Sequence, residues 1–132
     1  MDFDAAKALC RSFPGCTEDL KWGCDAVFSV GLKMFAVSRF EARANGISFK
    51  VEDDRFLELT DRPGIIPAPY LARAKWVYVE DAGAVSDQEA GALLRRSYEL
   101  VFAKLTKKLQ RELAQSAPSQ QAAAQQAMGA SS

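Results

Sequence analysis

No histidine occurs anywhere in the 132 residues. That removes the usual general base near neutral pH, the Ser-His and Cys-His nucleophile pairs, and every metal site built on imidazole. Cysteine is scarce: Cys10, Cys16 and Cys24 form an odd set with no Cys-x-x-Cys spacing. Neither a disulfide framework nor a four-ligand zinc site fits that count, and reduced thiols in a cytoplasmic protein are the expected state. No apolar run approaches the ~20 residues of a membrane span. The opening Met1-Asp2-Phe3-Asp4 is acidic where a signal peptide would be basic. There is no glycine-rich phosphate loop. Nor does either charge dominate, with 17 Lys and Arg against 17 Asp and Glu. Balance excludes a uniformly basic coat but leaves a local basic patch open. These absences predict a protein that is not an enzyme and needs no cofactor, no metal and no membrane.

What is present reads as one modest domain, residues 1–113, followed by a disordered tail, 114–132, rich in Ala, Gln and Ser. That tail has too little apolar surface to offset its ordering. Phe3, Ala6, Cys10 and Phe13 recur at helical spacing, with Asp2 or Asp4 as cap and Pro14-Gly15 as stop. Cys10 is therefore a core residue rather than a nucleophile. Thr17–Gly23 reads as a connector whose Trp22 plugs the end of the core. Ala26–Val30 and Lys33–Ser38 are β-rich runs joined by Gly31-Leu32, a tight hairpin. A second return ends at Asn45-Gly46, with positive-φ turn chemistry, before Ile47, Phe49 and Val51 alternate onto one face. Glu52-Asp53-Asp54 begins a short helix with Phe56 and Leu59 or Thr60 inward, the acids complementing its dipole.

Three prolines and a glycine lie between Pro63 and Pro69, so neither a helix nor a central strand can run through them. The segment is a stiff connector to a last strand at Trp76–Val79. From Arg62 to Trp76 it carries the cations Arg62, Arg73 and Lys75 and no carboxylate. Ser86 and Glu89 form a capping box for a long final helix whose Leu94, Tyr98, Val101, Leu105 and Leu109 make one apolar stripe. Lys104, Lys107, Lys108 and Arg111 fall together on another face, about a third of a turn away. They admit two readings: cations in a last turn complement the helix dipole, or they form a phosphate-binding edge.

Several of these stretches match a family pattern in order. Phe13-Pro14-Gly15, Trp22-Gly23, Phe28, Lys33–Ala36, Pro63-Gly64-Ile65, Pro67, Tyr70-Leu71, Trp76, Arg96–Val101 and Lys104–Leu109 resemble the small bacterial YjbR/MmcQ proteins over roughly residues 3 to 112. The resemblance implies a CyaY/frataxin-like fold, an α+β two-layer sandwich with N- and C-terminal helices packed on one face of an antiparallel sheet. It also implies a double-wing DNA-binding motif. One departure stands out: many relatives carry a histidine just before the tryptophan, and here that residue is Lys75.

The expected partner is DNA, bound with weak sequence specificity through Arg62, Arg73, Lys75, Lys104, Lys107, Lys108 and Arg111. No Arg and Asn set suited to reading bases is evident. The alternative is a small-molecule or protein-binding module using Tyr70, Trp76 and Tyr78. An iron site by analogy with frataxin is disfavoured, because Asp2, Asp4, Glu18, Asp19 and Asp25 are scattered among cations. No further hydrophobic seam stands out, which favours a monomer.

Overall fold

The structure, a computed structural model, describes residues 1–21, 25–38, 46–68 and 71–116. Asp2 opens the first helix, α1 (Phe3–Ser12), its carboxylate accepting the backbone N–H groups of Asp4 and Ala5. The helix stops at Phe13, which is extended, and Gly15 then takes a left-handed φ of +76°.

Six strands form one antiparallel sheet: β1 (Cys16–Lys21), β2 (Asp25–Val30), β3 (Lys33–Ser38), β4 (Ile47–Lys50), β5 (Ile65–Pro67) and β6 (Trp76–Val79). Their spatial order is β1-β2-β3-β4-β6-β5. Helix α2 (Asp53–Thr60) joins β4 to β5, while α3 (Asp87–Phe102) and α4 (Lys107–Ser116) follow β6. All four helices pack on one face, where Phe28, Phe35, Phe49, Val77 and Val79 meet Cys10, Leu59 and Leu94, with Leu109 and Leu113 at the margin. The predicted α+β two-layer sandwich is the fold. The other face is buried as well, around Val27, Val37, Trp76 and Tyr78 with Ala68, Met34 and Leu71. Strand period sorts β6 cleanly: Val77 and Val79 face the helices, Trp76 and Tyr78 the second cluster.

Four local features differ from the sequence expectation. Where a connector is predicted from Thr17, the chain instead forms the edge strand β1. Glu and Asp are poor strand formers, yet on an edge their charges stay solvated and deter a further strand. Arg11 ties this edge down, donating to Glu18 at 2.6 and 3.1 Å while its guanidinium lies 5.8 Å from the Phe28 ring. The proline segment, predicted as a connector, contributes β5, again at an edge, where Pro67 removes an N–H from the rim. Gly46 has no positive φ. Its role is close approach, since a Cβ there would run into the Val79 carbonyl oxygen and the Tyr78 ring. Lastly, the long terminal helix is two helices, α3 and α4, with residues 103–106 between them. Trp22, the 39–45 return, Tyr70 and all of the expected tail 114–132 except residues 114–116, which end α4, lie outside the described residues.

The sheet ladder is interrupted at one point and mended by a helix side chain. The β2–β3 register shifts between Phe28 and Ser29, so Phe35 and Ala36 both turn toward the helices. The β3–β4 ladder pairs Ala36 with Phe49, and the next step would bring Phe35 to Lys50. There Ser97 of α3 stands in: its hydroxyl accepts the Lys50 N–H at 2.9 Å and donates to the Phe35 carbonyl at 2.7 Å.

Candidate nucleic-acid interface

Strand directions decide which cations share a surface. In an antiparallel sheet β2 ends, β3 begins, β4 ends and β6 begins at one end of the molecule. That end therefore collects Lys33 after the hairpin turn, Lys50 at the end of β4, and Arg73 and Lys75 just before β6. Lys50 links the last two groups. Its ammonium donates to the Ala74 carbonyl at 2.6 Å, and its pKa is lowered by burial and then by the nearby charge of Lys104. Residues far apart in the chain thus meet: the Ala74 carbonyl, between Arg73 and Lys75 in sequence, and Lys104 flank Lys50.

Arg73 sits on a single 3-10 turn, Ala72–Ala74, and is exposed. Lys75 follows in a left-handed conformation, φ +65°, with its ammonium 5.1 Å from the Phe56 ring centroid. The backbone around it is fixed, because the Lys75 N–H donates to Ala72 and the Lys75 carbonyl accepts from Val51.

The break between α3 and α4 changes the meaning of the terminal cations. Thr106 caps α4 by accepting the Leu109 N–H at 3.1 Å, and Gln110 donates back to the Phe102 carbonyl at the end of α3 and to the Leu105 carbonyl in the turn. Lys104 consequently lies in the intervening turn, and Lys107 and Lys108 occupy the first turn of α4. The dipole explanation therefore fails for Lys107 and Lys108, although Lys104, just past the end of α3, still complements the negative end of that helix. At a helix start the dipole is positive, so cations there are disfavoured rather than complemented. Arg111 lies one turn further on. Lys104, Lys107, Lys108 and Arg111 are all exposed and form no ion pair among the described residues. On the packed side of α4, Leu105 and Leu109 lie against Gly31 and Leu113 against Gly15. The helix therefore runs along the same end of the sheet, from the β2–β3 turn toward the α1–β1 turn.

Acids also reach this patch, since the charge of Asp53 acts on Lys50 against that of Lys104. Glu52 is held at 2.8 Å by Arg96, and Asp53 and Asp54 mark the start of α2. The opposite end carries Asp2, Asp4, Glu80, Asp81 and Asp87. The Asp2 N–H donates to Asp87, and the Met1 amine donates to the Ala82 and Val85 carbonyls. Among the described residues these acids lie at the end opposite Lys33, Lys50 and Arg73.

Arg62 does not join the patch. Its guanidinium grips Glu89 through two 2.8 Å hydrogen bonds and Glu58 at 2.7 and 3.2 Å. These bonds raise the Arg62 pKa, and they lower both carboxylates from their ordinary 4.5. The arginine pins α2 to α3. Because all three side chains are partly exposed, Arg62→Met is expected to cost only about 1–2 kcal/mol. A depressed carboxylate stabilises the fold above its unfolded pKa and loses that contribution as pH falls through its folded value. The gap in Tm between wild type and Arg62→Met should therefore be full at neutral pH and close below 4.5. Thermal melts across that range check it, and a gap that is flat with pH would remove the clamp as its cause.

The aromatic alternative fares differently from the basic one. Trp76 is 5% exposed and Tyr78 7%, so both rings serve packing on the second face. Tyr70 lies outside the described residues. Burial pushes the Cys10 thiol up to about 12 and that of Cys16 up to about 11, so both thiols are poor nucleophiles. No group of His, Cys, Asp and Glu suited to a metal occurs among the described residues. No helix among them is long and apolar enough to cross a membrane.

Comparison with known proteins adds a lineage. The family model YjbR matches residues 11–100. A solved protein from Deinococcus radiodurans, DR2400, with a DUF419 domain, is 30% identical at a TM-score of 0.74 and covers 84% of this chain and 86% of its own. A Pseudomonas syringae protein is 22% identical at a TM-score of 0.63, over 76% of this chain and 99% of its own, which shows a shared fold. No functionally curated protein matches.

Proposed function

The chain belongs to the YjbR family, and from that premise we propose that it binds duplex DNA through its cationic sheet end, as a binding module rather than an enzyme. The observation that supports it is the convergence on Lys50, which meets the Ala74 carbonyl of the proline loop and lies near Lys104 beyond α3, at the sheet end where Arg73 and Lys75 precede β6. Lys50, Arg73, Lys75, Lys104, Lys107, Lys108 and Arg111 contact phosphates, with Lys33 at the rim. Phosphate contacts position a protein without reading sequence, so specificity is weak. The acidic opposite end orients the approach and keeps the wrong face from DNA.

Fluorescence anisotropy with a labelled duplex tests this reading. With about seven phosphate contacts, affinity should fall by roughly 10³–10⁴ between about 50 and 200 mM salt, at a slope near −0.9 per contact. Absence of binding at the lower salt would overturn the proposal.

A further inference from the structure

Leu32 is the most exposed large apolar side chain among the described residues, at 97%. It occupies the tip of the β2–β3 hairpin with φ +69°, next to Gly31 at +58°. A two-residue turn with both φ values positive favours Asn-Gly or Asp-Gly chemistry, and leucine is poor there on two counts. Its Cβ crowds the backbone in the left-handed region, and its side chain is left to water. Packing among the described residues does not use that side chain. The turn itself is anchored, because Gly31 seats against Leu105 and Leu109, on either side of the Lys107 and Lys108 pair. Lys33 flanks the tip from the other side and is exposed too. A rigid apolar point thus projects between cations on the surface assigned to DNA.

We propose that Leu32 is a wedge that inserts between stacked bases while the surrounding cations hold the phosphates. This deepens the DNA-binding reading and rests on it. Proteins that insert an apolar side chain at a base step unstack that step and kink the duplex, and pyrimidine–purine steps yield most readily. A duplex with a central TA step should therefore bind better than an A-tract of equal length, although no base edge is read.

The probe is a duplex of about 20 base pairs with 2-aminopurine beside a central TA step and a donor–acceptor pair at its ends. Wild type should raise the 2-aminopurine fluorescence and the end-to-end energy transfer together. Leu32→Asn should lose both signals yet retain the salt slope of wild type, weakening binding by less than about tenfold. Asparagine tolerates the left-handed conformation, so this variant should melt at or above the wild-type temperature, separating a binding defect from misfolding. Salt-dependent binding without unstacking, or equal unstacking by Leu32→Asn, would overturn the wedge and leave the phosphate reading standing. A wild type that fails to bind would remove both.

Discussion

A variant in which Lys104, Lys107, Lys108 and Arg111 are all alanine is expected to lose measurable duplex binding at about 200 mM salt. At about 50 mM salt residual binding should persist through Lys50, Arg73 and Lys75, but with a salt slope flattened by about 0.9 for each contact removed. The fold should survive. All four side chains are exposed without ion partners among the described residues. Alanine is also the better helix former, and removing two cations from the first turn of α4 relieves the dipole there. The variant's melting temperature should match or slightly exceed that of wild type. Arg62→Met supplies the opposite pattern: it should lower the melting temperature and leave the salt slope intact. Anisotropy and melts on the three proteins therefore separate a phosphate surface from a structural network. Equal affinity and slope in the four-site variant and wild type would place DNA elsewhere or nowhere.

What could be read from sequence was written in neighbouring residues. The Asp2 cap, the Ser86 cap and the Gly31-Leu32 turn each involve groups a few positions apart, and each is present. The break before α4 was hidden because the apolar stripe runs straight through it: Leu105 stays buried across the turn, and neither proline nor glycine marks the spot. Thr106, three residues before Leu109, was the available signal, a cap inside an apparent helix. Lys50 was missed for another reason. Its neighbours are Ala74 and Lys104, brought to it by β4–β6 pairing and the end of α3, and no local pattern encodes that meeting. Arg62 shows the converse, since a loop free of acids says nothing of Glu58 and Glu89 arriving from two helices. The family resemblance was legible because its residues build the fold. Phe13 packs with Phe35 and Tyr98, the Tyr98 hydroxyl donates to the Pro14 carbonyl at 2.6 Å, and Gly15 seats Leu113. Residues of that kind specify architecture, whereas the cations facing solvent take no part in that packing.

The largest effect on stability is expected from Ser97→Ala, a change of one oxygen atom. Ser97 is fully buried on α3, where the helical stripe alone would ask for an apolar residue. Its hydroxyl satisfies two backbone groups that the bulge has separated, the Lys50 N–H and the Phe35 carbonyl. Alanine nearly preserves the volume but leaves both groups buried without a partner. Each orphan costs about 1–3 kcal/mol, so a loss of about 2–4 kcal/mol is expected after partial relaxation. That exceeds what an ordinary surface substitution does and is a large share of the stability of a domain this size. The sites are also coupled. Lys50 is held in place through its own N–H, so loosening β4 should move its ammonium away from the Ala74 carbonyl. DNA affinity should then fall somewhat even under conditions where the variant remains folded. Denaturant unfolding measures the first effect, and hydrogen exchange at the Lys50 amide localises it, with protection lost there before the rest of the sheet. A destabilisation below about 0.5 kcal/mol, or unchanged Lys50 protection, would mean that the ladder closes without the hydroxyl.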